Sequence, residues 1–404
     1  MTSVNLNGTL ASNLLLSPTI SDCQDAWFSS AENGNATSSN MAEKWRHRNI
    51  YGIVFVALQM VLGVIGNSVV LFVYWRKYRR SNYRVYVLFL AFLDIGSCIL
   101  TMPFVIIFLY KAADFPSDFI CRAGLLVGFT LGVAQSGALV LIAFDRFRKI
   151  CRPLKKQISV KQAKLSCIFI MIFALLCTWF TPFLYGTVNR SMGDMQITQC
   201  YLSNDNTPRF IAKAYYILLM VLFVLVTTLL CVLYFFIMRK VHSHSKSFYA
   251  VTKPQNGTHN VGRNRSLKTR KTTMTFFIIT AVYVVCTIPH DALGLVFHII
   301  EDLECKLSYT AGSVFFFFYW TVFLNNIANP LIYGLSDDRF TNVLKNYISK
   351  FKGHQTVSVK ESISENSRKI SNVSNFENPV ANSISSFNCS KNISYSPNPT
   401  SSAT

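Results

Sequence analysis

The sequence contains 404 residues, of which 51% are hydrophobic and only 14% are charged, and its mean hydropathy is +0.32. This composition excludes a single water-soluble domain, because one core could not enclose so much apolar surface. The formal net charge of +20 does not indicate nucleic-acid binding, because the basic residues are split among segments that flank apolar runs and form no single basic face.

Seven apolar runs are each long enough to cross a bilayer as a helix, which requires about 20 predominantly apolar residues. The connections between the runs are short and polar, so they leave no room for a second folded domain. The sequence therefore predicts an all-α membrane protein with a seven-transmembrane helix bundle over residues 49–336. The runs lie at residues 49–76, 84–110, 119–144, 165–186, 211–238, 274–300 and 309–335.

Basic clusters predict the orientation of the bundle, because Lys and Arg near helix ends are retained on the cytoplasmic side. The three connections assigned to that side hold such clusters at residues 76–84, 146–156 and 239–246, against one opposing cluster at 43–48. We therefore expect a multi-pass plasma-membrane protein with residues 1–48 outside the cell and the carboxyl end in the cytoplasm.

Asparagine sequons agree with this orientation. Asn7 and Asn35 lie in sequons of the outer amino segment, and Asn189 lies in the loop that follows the fourth run. We expect these three residues to carry glycans, because all of them lie on the predicted outer face.

Four of the 11 cysteines, Cys23, Cys121, Cys200 and Cys305, also fall on the predicted outer face. Disulfides persist on that side because it is oxidising. Four cysteines allow three pairings, and the sequence alone leaves the pairing open.

Polar residues inside the apolar runs are the main indication of function, because charge at membrane depth is costly and usually faces a cavity or a partner. Asp94 ends LAFLD in the second run, FDRF ends the third, CTIPH lies in the sixth and NPLIY lies in the seventh. Each has a structural explanation when taken singly. Asp94 could be a satisfied core carboxylate and Pro289 a simple helix kink.

Together, these motifs resemble those of the class A, rhodopsin-like G-protein-coupled receptors, over about residues 49–350. The resemblance implies a receptor that binds an extracellular ligand and activates heterotrimeric G proteins, and it implies no enzyme activity. No GxSxG, HExxH or phosphate-loop motif occurs in the sequence. The resemblance rests on Gly66 and Asn67, LAxxD, the Cys121 and Cys200 pair, DRF, CTIP, and NPLIY followed by Phe340.

The resemblance implies a sodium and water pocket in the bundle core, which would be lined by Asp94, Asn325 and Asn329. Gln135 stands where the family often has serine. No cofactor is expected beyond a sodium ion that would act as an allosteric modulator.

The resemblance also assigns residues to activation and G-protein coupling. Arg146, beside Asp145, would turn toward the G protein in the active state, and Tyr234 and Tyr333 would brace the opening. Pro289 and Pro330 would shape the sixth and seventh helices, and Pro153 and Leu154 would present an apolar contact to the G protein.

Two departures from the family pattern leave an alternative open. Thr287 replaces the family tryptophan of the sixth helix, and Val226 replaces the fifth-helix proline. They suggest a receptor-like decoy or scavenger that binds ligand with weak or no G-protein signalling. The retained Arg146 and Tyr234 favour a signalling receptor.

The ligand is expected to be a peptide, and in particular a neuropeptide. The third run has no acidic residue, and Gly128 occupies the site of the aminergic aspartate, which disfavours a monoamine. Phe323 stands where opsins have the retinal lysine. The loop 186–202 has a turn signal at residues 193–194 between two potential strands, as in the hairpin lids of many peptide receptors.

Ligand contacts are expected from Gly128, His290, Asp291 and Tyr319. Asp291 is a potential partner for a basic ligand group, because a carboxylate at that depth is expensive unless it is paired. The alternative is an internal polar contact with the fifth or seventh helix.

Once Cys121 and Cys200 are joined as in the family, Cys23 and Cys305 remain on the same oxidising face. We expect them to pair, since chemokine receptors use a similar bridge to hold the amino segment over the pocket. The alternative is a free Cys23 in a disordered segment.

The carboxyl end is expected to comprise two parts. Residues 337–352 resemble the short amphipathic eighth helix that lies on the inner membrane surface in contact with lipid. Residues 353–404 are rich in Ser and Asn and nearly without aromatic residues, which predicts a disordered cytoplasmic tail. In the family, a Ser-rich tail of this kind recruits arrestin and receptor kinases.

Overall fold

The computed structural model of the chain describes residues 38–192, 195–202, 209–250, 259–300, 303–347 and 349. Within these residues, seven helical segments are long and apolar enough to cross a membrane, which confirms the predicted all-α architecture. The tail 353–404 and most of the amino segment 1–48 lie outside the described residues.

The seven segments follow one another in chain order, and three of them are divided into shorter elements. The first segment is α1 (Ser38–Lys77), the second is α2 (Asn82–Gly96), a π-helical turn (Ser97–Thr101) and α3 (Met102–Tyr110), and the third is α4 (Asp118–Cys151). The fourth is α5 (Val160–Thr178) and α6 (Thr181–Leu184), the fifth is α7 (Arg209–Ala250), and the sixth is α8 (His259–Ile299). After a short α9 (Leu303–Lys306), the seventh is α10 (Tyr309–Tyr319), a 3-10 turn (Trp320–Phe323) and α11 (Leu324–Ser336).

Several helices extend beyond the apolar runs that predicted them. Helix α1 already begins at Ser38, inside the segment 1–48, and α4 continues past residue 144 to Cys151. A hydropathy run marks only the part of a helix that crosses lipid, whereas Lys and Arg at its end reach into the headgroups without breaking the helix. The fourth run was predicted to end two residues too late, because the helix ends at Leu184 and a strand begins at Tyr185.

Prolines and their neighbours interrupt two of the segments. The π-helical turn lies just before Pro103, which cannot donate a backbone hydrogen bond, and the Met102 N–H donates to the Ser97 carbonyl five residues earlier. In the seventh segment, the 3-10 turn separates α10 from α11, which contains Pro330. The π-helical turn contains the buried Ser97 and Thr101, and the 3-10 turn directly precedes the helix that holds three buried asparagines.

Close helix contacts explain the GN motif of the first run. A Cβ atom added to Gly66 would lie 2.8 Å from Pro330 Cγ, so only glycine lets α1 approach α11 at this level. The neighbouring Asn67 is fully buried, and its amide donates to the Asn326 carbonyl at 2.7 Å. The motif therefore joins the first and seventh segments.

The loop after the fourth segment is the predicted hairpin. Strands β1 (Tyr185–Met192) and β2 (Met195–Leu202) pair antiparallel, and Met192 lies opposite Met195 across the predicted two-residue turn. The Cys121–Cys200 disulfide joins β2 to α4, as the resemblance implied. Asp118 also accepts a hydrogen bond from the Thr187 N–H at 2.8 Å, so both strands are tied to the start of α4.

Beyond α11, residues 338–347 are helical, within the range 337–352 predicted for the eighth helix. Phe340 is almost fully buried, and its ring lies 5.9 Å from the ring of Tyr74 in α1. The start of this helix is thus anchored to the inner end of the bundle.

Candidate functional site

A buried carboxylate lies at the centre of the bundle. Asp94 in α2 is fully buried, and both of its oxygens accept hydrogen bonds from amides. Gln135 Nε2 of α4 donates to Oδ1 at 3.0 Å, and Asn329 Nδ2 of α11 donates to Oδ2 at 2.8 Å. Three of the four residues predicted for the core pocket therefore meet, and they connect the second, third and seventh segments.

The fourth predicted residue, Asn325, is buried, but its Oδ1 has no hydrogen-bond partner among the described residues. Its neighbour Asn326 contacts the network directly, because its Oδ1 accepts a second hydrogen bond from Gln135 Nε2 at 3.0 Å. Sequence reasoning missed Asn326. The available signal was its spacing of three residues from Asn329, which places both on one side of a helix.

The arginine of the DRF motif lies at the inner end of α4 and is also buried. Arg146 Nη2 forms an ion pair with Asp145 Oδ2 at 2.9 Å, and Nη1 donates to Thr272 Oγ1 of α8 at 3.3 Å. The guanidinium also lies 5.3 Å from the centre of the Phe276 ring. The arginine therefore links the inner end of α4 to α8.

Asp145 is held by two further side chains. Lys149 Nζ lies 2.7 Å from Oδ2, and Asn82 Nδ2 donates to Oδ1 at 2.9 Å. Asn82 also donates to the Ile158 carbonyl, so the same amide reaches the connection after α4. These contacts fix the carboxylate that restrains Arg146.

Two buried tyrosines lie near this arginine. The Tyr234 hydroxyl of α7 donates to the Phe276 carbonyl at 3.1 Å and accepts from Thr280 Oγ1 at 3.2 Å, which ties α7 to α8. The hydroxyl of Tyr333 is buried and has no hydrogen-bond partner among the described residues. Tyr333 is thus available for a new polar contact if the inner end rearranges.

The connection after α4 presents exposed apolar side chains. Leu154 is 100% exposed, and Pro153 beside it is exposed as well. Leu154 follows the segment that carries Arg146. A fully exposed leucine at such a position is a suitable contact for a partner protein.

A second inner cluster was not predicted from the sequence. The hydroxyls of Tyr74 and Tyr83 donate to Asp337 Oδ2 at 2.8 and 3.1 Å, which joins α1 and α2 to the end of the seventh segment. Lys271 of α8 forms an ion pair with Asp338. The signal in the sequence was the acidic pair directly after α11. The basic start of the sixth segment could have been recognised as a partner for this pair.

At the outer end, the bundle contains a partly open cavity of about 70 Å³. Nine of its thirteen lining side chains are aromatic rings of Phe, Tyr or Trp, and none carries a formal charge with histidine neutral. The β-hairpin contributes part of the wall. The lining residues are Phe104, Phe108, Leu125, Phe129, Tyr185, Cys200, Tyr201, Leu202, Phe297, His298, Phe316, Tyr319 and Trp320.

The histidine of the cavity wall is fixed by its neighbours. His298 Nδ1 lies 2.8 Å from the Gly294 carbonyl, which can only accept, so this nitrogen carries the proton. Nε2 then accepts from the Tyr185 hydroxyl at 2.8 Å, and the ring stacks on Tyr216 at 3.7 Å. The histidine joins α8 to the hairpin and leaves little polar surface for a ligand.

The residues predicted for the ligand pocket lie in different surroundings. Tyr319 lines the cavity. His290 is not among the lining residues of the cavity. Its Nδ1 donates to the Tyr319 carbonyl at 2.7 Å, just before the 3-10 turn of the seventh segment. Gly128 faces Thr101, whose methyl group would lie 3.3 Å from an added Cβ atom.

Asp291 is partly buried near the aromatic wall. Its Oδ2 is buried and has no hydrogen-bond partner among the described residues. Its chain neighbour His290 packs against Tyr319 of the cavity wall, with the two ring centres 4.4 Å apart. An acidic group therefore lies beside an otherwise aromatic cavity.

Some predicted outer sites lie wholly or partly outside the described residues. This is true of Cys23, of the side chain of Cys305, and of Asn7 and Asn35. Asn189 is described, and its side chain is exposed on β1, where a glycan can be attached without loss of packing.

The chain matches the family described as 7 transmembrane receptor (rhodopsin family) over residues 66–333. The chain belongs to this family. The match confirms the resemblance that GN, DRF and NPLIY indicated, and the matched region of the receptor extends from Gly66 to Tyr333, the tyrosine of NPLIY.

Individual relatives are distant. The receptor is 25% identical over 305 residues to the tachykinin-like peptides receptor 86C of Drosophila melanogaster, and the match covers 73% of this chain but only 58% of that receptor. It is 24% identical over 286 residues to the neuropeptide S receptor of Macaca mulatta, and the match covers 68% of this chain and 73% of that receptor. It is 26% identical over 293 residues to a rhodopsin of Camponotus atriceps, and the match covers 70% of this chain and 74% of that rhodopsin.

Proposed function

We propose that the receptor binds an extracellular peptide and activates a heterotrimeric G protein. The observation that carries this proposal is that one helix, α8, takes part in both ends of the bundle. Its outer part supplies Phe297 and His298 to the cavity, and its inner part supplies Thr272 to the contact with Arg146. A ligand that displaces the outer part would act on the arginine through the same helix.

A contact halfway along α8 supports this coupling. The hydroxyl of Tyr283 lies 2.7 Å from Ser136 Oγ of α4, and Thr287 Oγ1 donates to the Tyr283 carbonyl at 2.8 Å. Thr287 is the residue that replaces the family tryptophan. In this receptor, the Tyr283–Ser136 pair would therefore connect α8 to α4 between the cavity and Arg146.

A peptide ligand is supported by the relatives named as tachykinin-like and neuropeptide S receptors and by this chain's own residues. The rhodopsin relative does not transfer its ligand, because Phe323 replaces the lysine that a retinal Schiff base requires. The paired β-strands form part of the wall of this partly open, mainly aromatic cavity. An aromatic or aliphatic end of a peptide would fit this wall.

Asp291 gives the peptide a second point of attachment. A buried carboxylate oxygen without a partner is costly, and a basic group of the ligand would offset that cost. The proposed ligand therefore has a cationic group close to an apolar end.

The proposed topology places residues 1–48 outside the cell, with glycans at Asn7, Asn35 and Asn189, and the tail 353–404 in the cytoplasm at the plasma membrane. The tail would recruit receptor kinases and arrestin through its serines. The basic clusters at the predicted inner ends of the segments support this orientation.

A screen of candidate neuropeptides tests the proposal in cells that express the receptor with reporters for several G-protein classes. We expect one peptide to activate a reporter, and Arg146→Ala to abolish activation while surface expression persists. Arg84→Ala is the matched control, because Arg84 donates to the Trp75 carbonyl at the inner end of the second segment. A peptide that binds without any reporter response would instead assign the receptor to the decoy or scavenger class.

A further inference from the structure

The family implies a sodium ion beside Asp94, and the residues around this carboxylate decide whether such an ion fits. An alkali cation is held by oxygen lone pairs, from carboxylates, hydroxyls, amide carbonyls or water. In this receptor both Asp94 oxygens face amide hydrogens, from Gln135 and Asn329. Amide hydrogens carry partial positive charge, so they repel a cation from the position that they occupy.

The orientation of the Gln135 amide follows from its neighbours. Ionised Asp94 can only accept hydrogen bonds, so the group 3.0 Å from its Oδ1 must be the donor nitrogen of Gln135. The same nitrogen lies 3.0 Å from Asn326 Oδ1, which uses its second hydrogen. A rotated amide would place its oxygen against the carboxylate and lose both hydrogen bonds.

The backbone of Asn326 is held from the other side of the bundle, while its side-chain Nδ2 has no hydrogen-bond partner among the described residues. Its backbone carbonyl accepts from Asn67 Nδ2 at 2.7 Å, and Asn67 also donates to the Gly63 carbonyl at 3.0 Å. The Gln135 amide thus lies between two acceptors whose positions are set by α2 and α11. Serine, the usual residue of the family at this position, would present a hydroxyl oxygen and leave room for an ion.

We propose that the Gln135 side-chain amide takes the place of the sodium ion of the family, so that the core network of this receptor forms without a cation. The amide hydrogens of Gln135, on α4, supply the partial positive charge that a sodium ion would otherwise supply to Asp94. The inference goes beyond the proposed function, because it depends neither on the ligand nor on G-protein coupling.

The test is the thermal stability of purified receptor in sodium, potassium and choline chloride at matched ionic strength. A ligand that binds only the folded protein raises its melting temperature with concentration until the site is saturated. We expect the wild-type receptor to melt at the same temperature in all three salts. Gln135→Ser should melt at a lower temperature in choline and gain a saturable, sodium-specific rise.

Two controls separate a cation site from a general salt effect. Gln59→Ser removes another buried glutamine, from α1, and should gain no sodium-specific rise. Asp94→Asn in the Gln135→Ser background should remove the rise, because the carboxylate that would hold the ion is gone.

Either of two results would overturn the inference. One is a saturable sodium-specific stabilisation of the wild-type receptor that Asp94→Asn removes, since the ion would then bind despite the amide. The other is a Gln135→Ser receptor that folds but shows no sodium response, since Gln135 would then not be what excludes the ion. If the variant does not fold, the wild-type measurement still decides the first point.

Discussion

In the inner half of the bundle, the buried carboxylates of Asp94 and Asp145 accept hydrogen bonds from amides or form ion pairs. In the outer half, aromatic rings wall the cavity, and one oxygen of Asp291 has no partner among the described residues. A paired polar group stabilises the fold, whereas an unpaired one costs free energy and is kept for a ligand or a conformational change. We therefore expect the inner half to control conformation and the outer half to bind the ligand.

The Cys121–Cys200 disulfide is expected to have the largest effect, because it holds the outer half together. The bridge closes a loop with a sequence separation of 79 residues. We expect Cys121→Ser with Cys200→Ser to lower the free energy of unfolding by about 2–5 kcal/mol, the usual scale for a native bridge. Thermal melting of the purified receptor measures the loss of stability, and surface expression in cells gives a second readout.

The matched control for the bridge is Cys167→Ser, which removes a buried cysteine that the structure describes as free. If the double bridge variant melts like the wild type, the hairpin is held by its polar contacts to Asp118 instead.

The two buried acids of the comparison should respond differently to the same change. Asp94→Asn should lower stability by about 1.5–3 kcal/mol, because a charged hydrogen bond to Gln135 or Asn329 is lost. Asp291→Asn should not lower stability, because it removes an unpaired buried charge, and it should weaken peptide potency by about 1.5–3 kcal/mol. Melting and concentration–response curves separate the two effects.

Reversed behaviour would break the comparison between the halves. If Asp291→Asn reduces stability and surface expression but not potency, Asp291 makes an internal contact and belongs with the structural acids.

A smaller effect is expected at the contact between α1 and α11. Gly66→Ala should destabilise the receptor by about 1–3 kcal/mol, because the new methyl group overlaps Pro330. Gly132→Ala is the matched control, since no atom lies within 4 Å of its added Cβ atom. This variant should instead gain about 0.5–1 kcal/mol from helix propensity.

Equal melting temperatures for the two glycine variants would show that α1 can shift away from Pro330 without cost. The close approach of α1 and α11 would then not be what fixes the inner half.

The sequence was sufficient for the seven segments, the hairpin and the inner motifs, because apolar run length, turn chemistry and motif order are local signals. It did not distinguish Asn326 from Asn325 as the partner of Gln135, because residues three and four positions before Asn329 both lie on its side of a helix. It also missed the aromatic wall. Phe104 and Phe297 lie in runs where lipid-facing, core and cavity phenylalanines have the same hydropathy.

If α8 transmits peptide binding from the cavity to Arg146, its inner part must move relative to α4 when the peptide binds. Spin labels at the exposed positions Leu154 and Arg270 report the separation between the connection after α4 and the inner part of α8. We expect an activating peptide found in the reporter screen to increase this separation. Without peptide, Arg146→Ala should broaden the distribution of distances between the two labels. Saturating peptide that leaves the separation unchanged while a reporter responds would contradict the account.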